Sequence, residues 1–373
     1  MPYLGIVARC DATLLDDLAR RGSWSLAKES PEPIRTAIVG IGNCASALIL
    51  SVAYCQAKGD EAIGVSFPLL GGYRPEDIQI VGGFDIDRRK TGRTLAAAAF
   101  ADPKCTEVYH DDLSAMTAPV PRGPVLDGGS GHMHNHPEAR SFRVVDVAEE
   151  PTADDMVDRL QEMQAEVLVI FLPVGSHDAV EFWAEVALRA GAAVVNGIPV
   201  FLASSSKWGK KFADAGLLIL GDDIKAQFGA TIVHRALANL AEQRVVKVDR
   251  TYQINFGGNT DILNMANSDR LVSKRESKTE AVQAAVKERF GPDEIRVGPS
   301  DYVPWLNDRK VAHIRLEGRL LGGARTNIEV RLDVEDSPNA AAAALPAIRC
   351  ARLARARGLS GDISAASAFL FKH

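Results

Sequence analysis

Hydrophobic residues are distributed along the chain in two alternating patterns, which together predict an α/β protein. Short apolar runs rich in β-branched side chains predict buried parallel strands at 34–39, 77–85, 166–171, 193–196 and 217–220. Between them, apolar residues spaced along one helix face predict helices at 45–54, 95–101, 154–164, 179–190 and 210–215. Strands that alternate with helices in this way are typical of a doubly wound parallel sheet.

The pattern changes after a further predicted helix at 229–242. Long strands are predicted at 245–256, 312–317 and 327–334, with a helix at 279–289. A helix at 340–357 follows, for which Asp336 or Ser337 is the expected N-cap and Pro338 the first turn. We therefore expect an N-terminal extension (1–33, with a short helix at 14–21), a first α/β domain (34–240), a β-rich α+β insert (241–335) and a return to the first domain (336–373).

The first predicted strand leads into a glycine turn. Gly40, Gly42 and Ala45 spell G-x-G-x-x-A between strand and helix, the order that a dinucleotide site requires. The next strand ends in Asp85, placed to bind ribose hydroxyls, which favours NAD over NADP. Asp85 lies 45 residues beyond Gly40, whereas the simple fingerprint expects about 20, so an excursion at 58–74 is predicted. Asp87 is a second candidate, and a tight turn without a ligand is the alternative interpretation.

Two loops also follow predicted strands, at 173–176 and 197–199. Open α/β sheets bind ligands beyond the carboxyl ends of their strands. Pro173, Val174 and Gly197 are therefore candidate cofactor contacts.

Composition excludes several classes of function. The net charge of −5 offers no basic surface for nucleic acid. No apolar stretch approaches the roughly 20 residues of a membrane span, and the N-terminus lacks the features of a signal peptide. Five scattered cysteines without metal-type spacing predict reduced thiols and a cytoplasmic protein.

Three polar segments are candidates for chemistry. In 221–225, paired acids and a lysine follow a strand and could position a cofactor and a phosphate. The alternative is an acidic helix cap with a solvated lysine. In 255–264, asparagines and an aspartate could form hydrogen bonds with a sugar, and the ammonium groups of Lys274 and Lys278, which follow, could bind a phosphate or stabilise an enolate. The alternative is that the two lysines form a solvated basic patch. The third segment is 308–310, whose charged residues precede a strand and are a candidate part of the site. The alternative is that they form an exposed turn.

The histidines at 132, 134 and 136 form a fourth candidate. In an extended chain these alternate residues would share one side and could bind a metal, but no fourth ligand is evident. We therefore predict no metal site.

Six motifs together resemble the L-myo-inositol-1-phosphate synthase family, in its short prokaryotic form. They are Gly40-Ile-Gly-Asn-Cys-Ala-Ser46, Gly221-Asp-Asp-Ile-Lys225, Asn255-Phe-Gly-Gly-Asn-Thr-Asp261, Ser273-Lys-Arg-Glu-Ser-Lys278, Asp308-Arg-Lys310 and Asp336-Ser337. The resemblance covers about residue 34 to the end. It implies a Rossmann domain interrupted by a catalytic and tetramer-forming insert, and therefore a homotetramer. It also implies NAD-dependent cyclisation of glucose 6-phosphate by oxidation at C5, enolisation, aldol closure and reduction.

The resemblance also assigns roles to residues. The implied catalytic residues are Lys274, Lys278, Lys310, Lys372, Asp223 and Asp336. The candidate cofactor-binding residues are Gly40, Gly42, Asn43, Cys44, Ala45, Asp85, Pro173, Val174, Gly197, Asp223, Asp336 and Ser337. The candidate substrate-binding residues are Lys225, Ala226, Gln227, Asn255, Asn259, Asp261, Asn264, Lys274 and Lys310.

The chain departs from the family pattern at three places: Ala226 replaces a serine, and the segments 119–137 and 1–33 are unfamiliar. Three alternatives therefore stay open. They are a cyclase for another hexose 6-phosphate, a simple NAD-dependent sugar-phosphate dehydrogenase, and a dinucleotide-sensing binding protein without catalysis.

Overall fold

The computed structural model describes residues 32–129, 131–146, 149–265, 282–283, 285–286, 288–291 and 293–372. Almost all of the predicted extension, including its short helix, lies outside this range. The same is true of Lys274, Lys278 and most of the predicted helix at 279–289.

The described residues contain ten strands, which belong to two sheets. In chain order they are β1 (Ile34–Val39), β2 (Ile78–Phe84), β3 (Val167–Ile170), β4 (Ala193–Asn196), β5 (Leu218–Leu220), β6 (Lys247–Gly257), β7 (Ile295–Tyr302), β8 (Arg309–Arg319), β9 (Arg325–Glu335) and β10 (Gly361–Asp362). The first sheet has the order β10-β5-β4-β3-β1-β2, and all its neighbouring strands are parallel. The chain passes from β1 to β2 on one side and then to β3 on the other, which creates a switch point at the carboxyl ends of β1 and β3.

Helices cover both faces of this sheet, as the alternating pattern predicts. In chain order the helices are α1 (Asn43–Lys58), α2 (Leu95–Phe100), α3 (Ala153–Glu162), α4 (His177–Ala190), α5 (Ser206–Asp214), α6 (Ala230–Gln243), α7 (Thr260–Asn264), α8 (Asp336–Ala356) and α9 (Ser364–Leu370). Helix α8 packs on α1 and against β1, β3, β4 and β5. Helices α3, α4 and α5 contribute to a second apolar cluster with the other face. The predicted Rossmann-type sheet is thus confirmed.

The second sheet has the order β7-β6-β8-β9. Strands β6, β8 and β9 are antiparallel, whereas β7 pairs with β6 in parallel. Three of its strands were predicted, although β8 and β9 are longer than the sequence pattern indicates; β7 was not predicted. Helix α6 packs against β6 and β8.

The predicted N-cap of the long C-terminal helix is wrong. Helix α8 begins at Asp336 and its N-cap is Glu335, which makes no side-chain capping hydrogen bond. Both Asp336 and Ser337 lie inside the first turn, because β9 runs into the helix without a loop. Their side chains are consequently directed to other partners, which are described below.

The chain returns to the first sheet at its end. Strand β10 pairs with β5, and α9 leads to Phe371, which is fully buried and forms a β-bridge with Ile224. No helix in the described part of the chain is both long enough and apolar enough to cross a membrane.

Candidate active site

A cavity of about 270 Å³ lies between the carboxyl edge of the first sheet and the second sheet. It brings together almost all the predicted site residues that the structure describes. Those lining it are Gly40, Gly42, Asn43, Cys44, Asp85, Pro173, Val174, Gly197, Asp223, Lys225, Ala226, Asn255, Asn259, Asp261, Asn264, Lys310, Asp336, Ser337 and Lys372. Residues as far apart in the chain as Gly40 and Lys372 therefore line the same cavity.

The glycine turn has the geometry that close approach of a ligand requires. Gly40 has φ +83°, and an added Cβ would lie 2.6 Å from the carbonyl oxygen of Phe171. Gly42 is the N-cap of α1, and a Cβ added there would meet no atom within 4 Å. The first glycine is thus required by the fold, while the second leaves space beside a helix N-terminus.

Asp85 faces this turn from the end of β2. Its carboxylate accepts hydrogen bonds of 2.7 Å from the backbone N–H groups of Ile41, Ile86 and Asp87. Burial raises the pKa of Asp85, and the positive charge of nearby Lys90 opposes that shift. The predicted excursion before Asp85 is confirmed, since the chain between α1 and β2 forms only short 3₁₀ turns.

Lys90 is a cavity residue that the sequence analysis missed. It is 2 % exposed, and its ammonium group donates to the carbonyl oxygen of Ile41 in the glycine turn. Burial lowers the pKa of Lys90, against the attraction of Asp85 and Asp87. Its position five residues after Asp85 was the only available signal, and a lysine in a turn is ordinarily solvated.

A second cluster joins the start of β8 to the start of α8. The antiparallel register pairs Arg309 with Glu335, which places Asp308 and Lys310 beside Asp336 and Ser337. The ammonium group of Lys310 lies 2.9 Å from both carboxylate oxygens of Asp336. This geometry is that of a charge-assisted pair at the wall of the cavity.

Asp308 is the buried centre of this cluster. It is 1 % exposed and accepts hydrogen bonds from the Ser337 hydroxyl (2.7 Å) and backbone N–H (3.1 Å). The amide of Asn259 donates to both Asp308 (3.2 Å) and Asp336 (3.1 Å). Burial, with a smaller contribution from Asp336, raises the pKa of Asp308 to about 7. The exposed-turn alternative for 308–310 is therefore wrong at Asp308.

The chain end supplies a second lysine–aspartate pair. Lys372 Nζ lies 2.7 Å from Asp223 Oδ1, and the two side chains are 13 % and 6 % exposed. The Lys372 backbone N–H also donates to the carbonyl oxygen of Asp223 (3.0 Å). Asp223 itself has φ +59°, a conformation that non-glycine residues rarely adopt and that often marks functional sites.

The asparagines of 255–264 are held firmly. Asn259 is the N-cap of α7 and accepts from the Ile262 N–H, while Asn264 donates to the Val174 carbonyl (3.0 Å). Asn255 donates to the Gly298 carbonyl (3.3 Å) and accepts from Gln253 (3.0 Å). The fold thus fixes these amide groups in advance, and this lowers the entropy cost of binding a polar ligand.

Three predicted site residues have other contacts. Ala45 is fully buried within α1 and does not line the cavity. Gln227 is exposed and outside the cavity; its amide donates to the carbonyl of Gly64 and the hydroxyl of Ser66. Lys225 lines the cavity, but its ammonium group donates to the carbonyls of Ala368 and Phe369. The structure thus places Ala45 and Gln227 outside the cavity lining, and their predicted contacts with cofactor and substrate stay predictions.

The histidine segment is not extended, so the premise of a metal site there fails. Residues Gly131–Asn135 form a 3₁₀ helix, in which successive residues are rotated by about 120°. Within the described residues, no group of three or more metal-binding side chains converges. This part of the chain instead contacts elements next to the second sheet. The His132 ring lies 3.4 Å from the carbonyl oxygen of Leu263 in α7, and Arg140, a few residues later, donates to Asn307 Oδ1 (2.6 Å) between β7 and β8.

The fold and the cavity define an enzyme whose Rossmann-type sheet is completed by a second sheet that carries polar and charged groups. The myo-inositol-1-phosphate synthase family model matches residues 229–337. An inositol-3-phosphate synthase of Mycobacterium tuberculosis is 44 % identical over 348 residues, 93 % of this chain and 92 % of that protein. One from Corynebacterium glutamicum is 45 % identical over 352 residues (92 % and 94 %). The chain belongs to the myo-inositol-1-phosphate synthase family.

A solved structure supports the same fold. A myo-inositol-1-phosphate synthase-related protein from Thermotoga maritima superposes with a TM-score of 0.75, covering 91 % of this chain and 92 % of that one, at 24 % identity.

Proposed function

We propose that this enzyme is an inositol-3-phosphate synthase, which cyclises D-glucose 6-phosphate to 1L-myo-inositol 1-phosphate with NAD. The observation that carries the proposal is that two lysine–aspartate pairs, Lys310–Asp336 and Lys372–Asp223, line the same cavity as the glycine turn. A simple dehydrogenase needs one acid or base beside the reacting carbon. Closing a ring through an enolate needs several cations around developing oxyanions, and this cavity offers them.

The residues present fit a dinucleotide. Gly40 and Gly42 leave room at the N-terminus of α1, and Asp85 lies where a ribose would bind. Asn43, Cys44, Pro173, Val174 and Gly197 would line the rest of that path. When bound, NAD would supply the reversible oxidation at C5 of the sugar that makes the C6 protons acidic.

The residues of the chain would hold and move charge. Lys310 and Lys372 would stabilise negative charge on substrate oxygens, because Asp336 and Asp223 fix their positions. Asn255, Asn259, Asp261 and Asn264 would orient the sugar hydroxyls. Lys274, with Lys278 beside it, would move the proton at the C5 oxygen, a role carried over from the family resemblance.

The deciding experiment measures redox balance and product together. Pure enzyme with glucose 6-phosphate and catalytic NAD should form inositol phosphate, identified by NMR, with no steady rise in absorbance at 340 nm. A stoichiometric rise at 340 nm would instead indicate a sugar-phosphate dehydrogenase. Turnover of a different hexose 6-phosphate only would keep the cyclase class but change the substrate.

We also infer a homotetramer. Among the described residues, β9 is an edge strand of eleven residues, on which Ile328, Val330 and Leu332 are half-buried and alternate with polar and charged residues. The unpaired backbone groups of a long edge strand favour pairing with another chain. Light scattering coupled to gel filtration tests this inference. Cys44, Cys55, Cys105 and Cys350 are free thiols, which supports a reducing compartment such as the cytoplasm.

A further inference from the structure

Among the residues that the structure describes, five cationic side chains line the cavity, and four of them already have partners. Lys310 and Lys372 pair with carboxylates. Lys90 and Lys225 donate to backbone carbonyls. The fifth is Arg235, on α6, which forms no ion pair and no hydrogen bond in the part of the chain that the structure describes.

We propose that Arg235 binds the phosphate group of the substrate. This assignment rests on the proposed function and names the residue that recognises the anionic end of the sugar. A half-buried guanidinium without a counter-ion is costly, whereas its planar fork matches two phosphate oxygens at once. The cavity thus contains a cation whose partner is a ligand rather than a protein carboxylate.

The position of Arg235 on its helix supports this role. Thr231 precedes it by four residues, so the two lie on one face of α6, and both line the cavity. Long helical side chains lean towards the helix N-terminus. The Thr231 hydroxyl group, on the same face of α6, would therefore add a further donor beside the guanidinium of Arg235.

The location also distinguishes the substrate phosphate from the pyrophosphate of a dinucleotide. Helix α6 packs against β6 and β8, and residues of the second sheet, Gln253, Ala312 and Leu332, line the cavity with it. The glycine turn and Asp85, which would bind the dinucleotide, instead follow strands β1 and β2 of the first sheet. The anion at Arg235 is accordingly the sugar phosphate.

Arg235→Gln tests the assignment, with Arg235→Lys as the conservative variant. Arg244→Gln is the matched control, because Arg244 caps the other end of α6, is exposed and does not line the cavity. Calorimetry gives the Kd values of glucose 6-phosphate, inorganic phosphate and NAD, and product formation gives the KM of glucose 6-phosphate. Because calorimetry does not need turnover, an incorrect proposed function would not hide the result.

We expect Arg235→Gln to raise the Kd of glucose 6-phosphate, the Kd of inorganic phosphate and the KM of glucose 6-phosphate by about ten- to a hundredfold. This range corresponds to the loss of one or two charge-assisted hydrogen bonds. The Kd of NAD should stay within threefold, and Arg244→Gln should match wild type throughout. Arg235→Lys should be intermediate, since it keeps the charge but not the fork. The proposal is overturned if phosphate affinity changes less than threefold or if NAD affinity falls in parallel. If Arg235→Gln does not fold, the proposal is overturned by an Arg235→Lys variant that binds phosphate as tightly as the wild-type enzyme.

Discussion

Replacing Lys372 by methionine removes the cation of the pair with Asp223 while keeping most of the aliphatic volume. The two side chains are 13 % and 6 % exposed, and the ammonium lies 2.7 Å from the carboxylate. Removing one partner of a buried pair costs roughly 3–5 kcal/mol, because the remaining charge loses its compensation. Since this pair retains some exposure, we expect about 3 kcal/mol for Lys372→Met.

The double variant Asp223→Asn/Lys372→Met isolates the electrostatic part of that cost. It removes both charges, so its unfolding free energy should be higher than that of Lys372→Met. Differential scanning fluorimetry should show a fall in Tm of roughly 3–6 °C for the single variant and a smaller one for the double. Lys211→Met, from an exposed pair with Glu185, is the control and should change the unfolding free energy by at most about 1 kcal/mol.

Activity measurements separate the contribution of Lys372 to stability from its expected role in catalysis. Both variants should lose at least about a hundredfold in kcat, because neither has an ammonium group to stabilise developing charge. A double variant no more stable than Lys372→Met would refute the charge argument. Activity of Lys372→Met above about a tenth of wild type would show that the lysine has no role in the chemistry. Deleting residues 371–373 should also abolish activity. That result would not be specific to Lys372, because the deletion also removes the fully buried Phe371.

Three further predictions concern the site. Lys274→Met should lower kcat by about 10²–10⁴-fold while NAD affinity stays within a few-fold; activity above a tenth of wild type would contradict an acid–base role. Ala226→Ser should lower the KM for glucose 6-phosphate by roughly three- to thirtyfold, measured by product formation, because a hydroxyl can donate to the charged phosphate; an unchanged KM would remove position 226 from the phosphate site. The pKa of Asp308 is about 7 when folded, above its unfolded value of ~3.9, so its ionisation destabilises the fold as pH rises from about 4 to 7. Asp308→Asn lacks this titration, so its Tm relative to wild type should rise between pH 5 and pH 8, and a constant difference would refute the linkage.

Local pattern predicted the first sheet well, because its strands are buried on both faces and read as continuous apolar runs. Strands β1, β3 and β4 coincide with their predicted segments within one residue. Strand β7 was missed because it contains Gly298, Pro299 and polar residues, and only pairing with β6 makes it a strand. Strand β10 has two residues and exists only because β5 lies beside it. Such non-local pairing leaves no periodic signal in the sequence.

In the candidate site, too, the features formed by one local segment were predicted, and those that depend on distant contacts were not. The glycine turn and Asp85 are recognisable because one strand–turn–helix unit contains most of their function. Lys90 and Arg235, which line the cavity, and Arg140, which contacts Asn307, were missed. Contacts with distant parts of the chain place them there, whereas a single arginine or lysine in a helix or turn is usually solvated. The histidine hypothesis failed for the reverse reason: it assumed a local conformation that the surrounding turns do not adopt.

The two lysine–aspartate pairs reach the cavity by routes that make them depend on different parts of the fold. Lys310 and Asp336 are brought together by the β8–β9 register, so a slip of one residue would turn Lys310 to the opposite face of the sheet. Lys372 depends on a chain end that is fixed by the Ile224–Phe371 bridge, the buried Phe371 ring and the donor contacts of Lys225. Lys225 therefore acts on the site even though its ammonium group holds backbone carbonyls. Bringing both pairs to one cavity requires the two sheets to keep their relative position, and Asn259 links Asp308 to Asp336 close to the contact between Arg140 and Asn307. The cavity is thus assembled only in the complete fold, in which Lys310 and Lys372 each pair with a carboxylate that a different element of the structure places.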